Sequence, residues 1–281
     1  MMNYIKLIRI KHWIKNGLIF LPIFFSLSFT KENIISTIWA FFAFSFMAST
    51  IYIINDIKDV KKDRNHPKKK TRPIASGKVT IPSAIILAIL LFISSIILNY
   101  FATKVLFTSA LICLLAYLVI NLFYSFGAKD IPILDIAILA TGFILRVYYG
   151  AFIINVPVSN WLFLTILSAS LFMGLGKRKK ELKIKEEVRK VLKEYNENFL
   201  NNFMNICLCL LIVFYSLWTM EQNIRYLFLS IPVVIVILMQ YMLYMENSDE
   251  GDPITILFQS KPLIVSVFIY LVFMILVMVV L

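Results

Sequence analysis

Nine apolar stretches run along the chain, at about 17–30, 33–54, 80–101, 105–123, 132–153, 158–175, 199–219, 224–245 and 262–281, each bounded by polar residues. A helix needs roughly 20 such residues to cross a bilayer. The pattern predicts an all-α, polytopic membrane protein of nine transmembrane helices, a single domain over residues 1–281 with no soluble linker or low-complexity segment. The first stretch is short unless the amphipathic residues 8–16 extend it. Residues 177–197 interleave Glu and Lys and read as a charged helix, or else as a solvated connector, between the sixth and seventh spans.

Composition agrees. The chain is 60% hydrophobic, with a mean hydropathy of +0.84, where soluble domains average about 45–50% apolar. No room is left for a large soluble domain. The basic residues 1–16 followed by apolar residues 17–29 resemble a signal peptide in length. No small-residue cleavage site follows, so an uncleaved first helix is expected. Cys113, Cys207 and Cys209 lie inside apolar stretches without metal-ligand spacing and read as plain core or lipid-facing residues.

Charge orients the spans. Nine Lys and Arg fall in 58–78 and nine in 177–193, with Lys6, Arg9, Lys11 and Lys15 ahead of the first span. Lys129 and Lys261 fall on the same side, whereas the other side holds only Lys31, Lys104 and Arg225. The positive-inside rule then places the N-terminus in the cytoplasm and the C-terminus outside, in the cell (plasma) membrane. The net charge of +12 is accounted for by topology and by attraction to anionic lipid heads, and does not call for nucleic acid.

The chemistry concentrates where the second span ends. Asn55, Asp56, Asp59 and Asp63 are followed by Lys68, Lys69, Lys70 and Arg72. Helical spacings of three and four put the three carboxylates on one face. Carboxylates at a membrane edge are costly unless paired or metal-bound. Mg²⁺ takes hard oxygen ligands together with substrate phosphates, and Lys68 and Arg72 suit phosphate oxygens. Asn55, Asp56, Asp59 and Asp63 are therefore the expected metal ligands, with a solvated loop as the bland alternative. His66 orients a carboxylate or touches phosphate, or else ends the helix before Pro67.

A second polar group, Asn121, Tyr124, Ser125, Lys129, Asp130 and Asp135, lies one helix pair later and gives the halves the look of a weak internal repeat. Five residues separate Asp130 from Asp135, a divergence of about 140° on a regular helix, so a kink near Pro132 is needed for both to face one ion. Asp135 is expected to meet a cation or Arg146, three turns deeper. Arg146 itself reads either as half of that pair or as an anchor for an anionic substrate group. A third group, Gly174-Leu175-Gly176-Lys177-Arg178-Lys179-Lys180-Glu181, offers close backbone approach and positive charge for an anion, or else is the basic end usual in cytoplasmic helices. The acidic stretch from Glu246 to Asp252 either solvates its loop or helps close over the site.

The run Asn55-Asp56-x-x-Asp59-x-x-x-Asp63 with Arg72-Pro73 resembles the UbiA superfamily of intramembrane prenyltransferases. Within it the chain is most similar to the decaprenyl-phosphate phosphoribosyltransferase branch. Lys11-x-Trp13-x-Lys15-Asn16 and Asp63-Arg64-x-His66-Pro67 carry this, as do Tyr124-Ser125 with Lys129, Asp135, Gly142-Phe143-x-x-Arg146, and Gly176-Lys177-Arg178 with Glu181. The resemblance implies a helical bundle with a central cavity open to lipid, and Mg²⁺ and an activated diphosphate at its cytoplasmic end. The second acidic motif departs from the spacing of four found in many members, which favours the phosphoribosyl branch over aromatic prenylation.

The resemblance further implies phosphoribosyl pyrophosphate as donor and a polyprenyl phosphate as acceptor, with diphosphate released. Asp56, Asp59 and Asp63 are the expected catalytic residues. Lys15, Asn55, His66, Lys68, Arg72, Tyr124, Lys129, Asp135, Arg146, Lys177 and Arg178 are the expected substrate-binding set. The alternatives are a prenyl-diphosphate-dependent prenyltransferase of the same superfamily, and a flippase for lipid-linked phosphate. The sequence leaves the oligomeric state open, a homo-oligomer included.

Overall fold

The computed structural model describes residues 2–67, 69–183, 190–248 and 251–277. Among them every regular element is helical. The chain divides into two compact units, Met1–Phe126 with Leu145–Pro157, and Gly127–Ile144 with Val158–Leu281.

The first unit is built around α3 (Lys31–Lys58). Thr30 caps it by accepting from Asn33 N–H at 3.2 Å, with Glu32 in the first turn where the helix dipole favours an anion. Its apolar stretch lengthens into the polar 55–58 because the backbone ladder continues there. Before it come α1 (Met2–Ile8), an 11-residue 3₁₀ segment (Ile10–Phe20) and α2 (Leu21–Phe25). After it come α4 (Val60–Arg64), α5 (Ile81–Ala102), α6 (Phe107–Phe126) and the second half of α7 (Leu134–Ile154).

Helix α3 packs most extensively on α5. Small residues allow it: Ser95 Oγ of α5 donates to Ala43 O at 2.7 Å, and Thr50 Oγ1 of α3 donates to Ala88 O at 3.3 Å. Ile19, Phe44, Met47, Ile51, Leu114, Tyr117 and Tyr149 form the core around it. Gly150 of α7 lies so close to the 3₁₀ segment that a Cβ there would sit 2.2 Å from Ile19 O.

The second unit pairs α8 (Asn160–Lys183) with α9 (Glu197–Glu221), and α10 (Ser230–Asn247) with α12 (Lys261–Ile275), α11 (Pro253–Gln259) lying between the last two. Asn196 caps α9 by accepting from Phe199 N–H at 2.7 Å, and Asp252 caps α11. Phe172, Leu175, Leu200, Met204, Met245, Ile256 and Leu263 make its core. Gly174 and Gly176 let Ile136 and Met245 approach α8 closely.

Six described helices are long and apolar enough to cross a membrane: Lys31–Lys58, Ile81–Ala102, Phe107–Phe126, Leu134–Ile154, Glu197–Glu221 and Leu227–Asn247. The expected ninefold count departs from this at three places. The first stretch is a 3₁₀ segment and a five-residue helix, with Arg9 in the left-handed region ahead of them. The sixth continues past its apolar part into the charged Lys177–Lys183 end of α8. The ninth is a 15-residue apolar helix in the described residues. The expected charged helix over 177–197 falls partly on residues 184–189, outside the described residues. Its remainder is the end of α8 and a short 3₁₀ turn, Lys190–Lys193.

Candidate active site

Polar side chains gather at two places, one in each unit. In the first, Asn55 and Asp56 occupy the last turn of α3. Asp59 caps that helix with near-helical dihedrals. Its N–H donates to Asn55 O at 2.9 Å, and Asp63 N–H donates to Asp59 O at 2.8 Å. Helical hydrogen bonds thus bridge α3 and α4, which is why the spacing of four carries across the junction. Asp56 and Asp63 are buried, and Asp59 is half-buried between them.

Arg72, on the chain returning after the 3₁₀ turn Lys69–Thr71, donates from Nη1 to Asp63 Oδ2 at 2.7 Å and to Asp56 Oδ1 at 3.2 Å. Arg9 Nη2 donates to the same Asp56 oxygen at 2.5 Å, its guanidinium lying 4.9 Å from the Tyr52 ring centroid. Arg9 has φ 54° and ψ 51°, a conformation that a non-glycine residue adopts at a cost of about 1–3 kcal/mol when its surroundings require it. The bend turns the 3₁₀ segment along α3. There Trp13 Nε1 donates to Ser49 Oγ at 3.0 Å and Asn16 Nδ2 to Ser45 Oγ at 2.9 Å.

One atom here fits a bound cation. Asn55 Oδ1 is buried and has no hydrogen-bond partner among the described residues. A buried amide oxygen without a donor is rare and costly, and an amide oxygen is among the hard donors that divalent cations take. Asp56 and Asp63 are already engaged by Arg9 and Arg72, and among the described residues no three His, Cys, Asp or Glu side chains form a metal-binding group. Asn55, Asp56, Asp59 and Asp63 thus offer hard oxygen donors of the kind Mg²⁺ takes, but among the described residues they are not gathered into a ligand cluster.

The other expected residues of this unit scatter. His66 Nδ1 accepts from Lys69 N–H at 3.3 Å, closing the turn after α4. Lys68 lies outside the described residues. Lys15 and Tyr124 are half-buried on the 3₁₀ segment and α6. Arg146, buried, donates from Nε to Asn16 Oδ1 at 2.8 Å and from Nη2 to Tyr117 OH at 2.9 Å, with the Phe44 and Tyr117 rings against its guanidinium. Lys58 caps α6 by donating to Ser125 O at 2.6 Å.

In the second unit Asp135 opens α7. Oδ1 accepts from Tyr195 OH at 2.7 Å and Oδ2 from Arg178 Nε at 2.5 Å. Arg178 Nη1 also donates to Glu181 Oε2 at 2.5 Å. The Asp135 and Arg178 side chains are both 0% exposed, which makes Arg178 an internal counter-ion instead of a free phosphate ligand. Asp135 therefore pairs with Arg178 and not with Arg146, which lies about 16 Å further along the helix axis.

The chain also turns sharply before α7, with Ile133 at φ 67°. Asp130 and Asp135 do not converge on one ion, since Asp130 is exposed and Asp135 fully buried. Lys129 and Lys177 are half-buried. Lys179 pairs with Glu246 and Lys180 donates to Ser248 O at 2.5 Å, tying the end of α10 to α8. Burial and the adjoining Asp135 carboxylate push the Tyr195 phenol up to about 12.

Arg9 and Tyr195 complete these clusters without having been expected to, whereas Glu181 belongs to the motif already read with Gly176, Lys177 and Arg178. Arg9 was legible only as one of the basic residues before the first span. A left-handed arginine has no local sequence signal.

Residues 19–261 match the UbiA prenyltransferase family. The chain belongs to that family. It is 33% identical to a decaprenyl-phosphate phosphoribosyltransferase of Corynebacterium glutamicum over 274 residues, 92% of this chain and 81% of the relative. It is 30% identical to that of Mycobacterium tuberculosis, over 92% of this chain and 88% of the relative. Among solved structures, a UbiA homolog from Archaeoglobus fulgidus bound to DMAPP and Mg²⁺ has the same fold, with a TM-score of 0.72 and 16% identity over 99% of this chain and 100% of that one. The protein is thus an all-helical, multi-pass membrane enzyme of the UbiA transferase family. The family match runs through residues of both units.

Proposed function

We propose that the protein transfers the 5-phosphoribosyl group of phosphoribosyl pyrophosphate to a polyprenyl phosphate, residues 1–281 acting as one catalytic domain. The observation that carries this reading is the first cluster: two buried carboxylates drawn together on Arg72, with an orphaned buried Asn55 oxygen in the same last turn of α3 as Asp56. The choice of donor and acceptor is supported by the names of the relatives that match most of the chain.

Asn55, Asp56, Asp59 and Asp63 would hold Mg²⁺, which supplies charge neutralisation on a departing diphosphate. Arg9 and Arg72 lie at the same carboxylates and are proposed to donate to diphosphate oxygens as charge builds there. Lys15, His66, Lys68, Tyr124 and Arg146 in the first unit, and Lys129 and Lys177 in the second, are the proposed partners of phosphate or ribose oxygens. Asp135 and Arg178 act on substrate only through the chain they position.

An oxygen of the polyprenyl phosphate forms the new bond to ribose C1, and the C1–O bond to diphosphate breaks. That oxygen is already anionic, so no strong general base is required, and catalysis is mainly positioning and electrostatics. The polyprenyl tail lies against apolar span surfaces, where each buried CH₂ contributes about 0.8 kcal/mol. In this reading the N-terminus and the acidic cluster lie on the cytoplasmic side and the C-terminus outside, an orientation supported by the distribution of Lys and Arg.

The test supplies purified protein with phosphoribosyl pyrophosphate and a labelled polyprenyl phosphate, with and without Mg²⁺, beside a parallel arm with a prenyl diphosphate and an aromatic acceptor. Transfer in the first arm alone, dependent on Mg²⁺ and abolished in Asp56→Asn and Asp59→Asn, is the expected result. Product in the prenyl arm alone moves the enzyme to the prenyl-transferring part of its family. Full activity in both variants removes the metal assignment.

A further inference from the structure

Tyr195 was not among the expected site residues, yet its phenol is the hub of the second cluster. Its ring is stacked on Phe199, at 5.8 Å between centroids with 12° between planes. Buried Val191 and Leu192 precede it. The hydroxyl accepts from Ile133 N–H at 2.6 Å and donates to Asp135 Oδ1 at 2.7 Å. A phenol can do both at once.

Ile133 is β-branched and has φ 67°, a backbone region such residues occupy only under constraint. The N–H held by Tyr195 belongs to that residue. Asp135, the second anchor, is held in turn by Arg178, itself braced by Glu181. The segment so pinned begins at Gly127 and includes the 3₁₀ turn Ala128–Asp130, which packs on the Lys190–Lys193 turn just before Tyr195. Lys129 sits on that turn.

We propose that Tyr195 is a positioning residue: it clamps the strained Ile133 turn and so fixes the placement of Lys129 for a substrate phosphate. The inference rests on the phosphate-binding role given to Lys129 above. Tyr195 itself touches no substrate. It acts by holding the 127–135 segment in one conformation, with Asp135 and Arg178 as the rigid wall behind it.

The experiment is a double-mutant cycle. Tyr195→Phe keeps the ring and its stacking and removes both hydrogen bonds. Its kcat/KM is expected to fall roughly tenfold, the scale of a lost buried hydrogen bond, with most of the change in KM for the substrate whose phosphate Lys129 holds. Lys129→Gln is expected to lower the same parameter, and Tyr195→Phe added to it should change little further, because both act through one group. Multiplying effects, or wild-type kinetics in Tyr195→Phe, overturn the proposal.

Amide hydrogen exchange gives a second measurement in the unaltered protein. Ile133 N–H is expected to be protected, and to exchange faster in Tyr195→Phe. Exchange at an unprotected loop rate in the wild-type chain overturns the clamp even if the variant does not fold. Absence of phosphoribosyl transfer in the wild-type chain, with Ile133 still protected, overturns the proposed reaction and leaves the clamp supported.

Discussion

At the scale of single residues, the two clusters differ in kind. Asp56 and Asp63 are charges whose partners, Arg9 and Arg72, are partly exposed. Asp135 and Arg178 are sealed from solvent on both sides. Removing one member of a fully buried pair leaves the other charge uncompensated, at a cost on the order of 3–5 kcal/mol. Arg178→Met should therefore lower the melting temperature in detergent sharply, whereas Arg72→Gln should reduce transfer with a much smaller effect on melting. Equal melting losses in the two variants would contradict this division.

The Tyr195 phenol adds a pH signature. Its acidity constant is raised from an ordinary 10.0 to about 12 in the folded chain. The fold favours the protonated form, so its contribution to stability is fully present below pH 10 and is lost as pH rises toward 12. Tyr195→Phe should flatten that alkaline part of the stability profile. Asp56 and Asp63 were legible because their spacing survives the α3–α4 junction, and Arg72 because it ends the basic run that follows them. Arg9 lies 47 residues from Asp56, and no local pattern announces so distant a partner.

At the scale of elements, hydrophobic length gave the interior helices well. The stretch at 33–54 became Lys31–Lys58, and that at 80–101 became Ile81–Ala102, each opened by a threonine cap. It misled at residues 17–30, where apolar character is present but the chain is bent to follow α3. Hydropathy reports whether a segment avoids water and is silent on whether its backbone is straight.

The bend depends on close approach of α7. Gly150→Val would drive a Cβ into the Ile19 carbonyl, which it would meet at 2.2 Å. Overpacking of this kind costs about 1–3 kcal/mol or more when backbone must move. Gly17, in the same 3₁₀ segment, has nothing within 4 Å of an added Cβ. Gly150→Val should therefore lower melting temperature and yield of folded protein, with Gly17→Ala close to wild type in both. A normal melting curve for the Gly150 variant would mean that the 3₁₀ segment is not held against α7.

At the scale of the whole molecule, the one property the sequence proposes most firmly is orientation, and it comes from charge alone. Helix α3 has 28 residues, about 42 Å of helix, enough to cross the ~30 Å hydrocarbon core with a turn to spare at each end. Its first turn carries Glu32, which pairs with Lys104 at 2.5 Å. Its last turn carries Asn55 and Asp56. The Lys104 end and the acidic cluster thus belong to opposite ends of one spanning helix, and the crowd of lysines and arginines follows the acidic end. Since Lys and Arg in short loops are retained on the cytoplasmic side, the proposed orientation puts the acidic cluster on the side where a water-soluble, highly charged donor is made. A cysteine placed at Lys62 should react with a membrane-impermeant maleimide only after the membrane is permeabilised, and one placed at Lys104 should react in intact cells. Cys113 and Cys207 are buried, and Cys209, exposed along the apolar helix α9, is expected to face lipid and to stay unlabelled in both conditions. The reverse pattern of labelling would put the acidic cluster outside the cell and separate it from any cytoplasmic sugar phosphate.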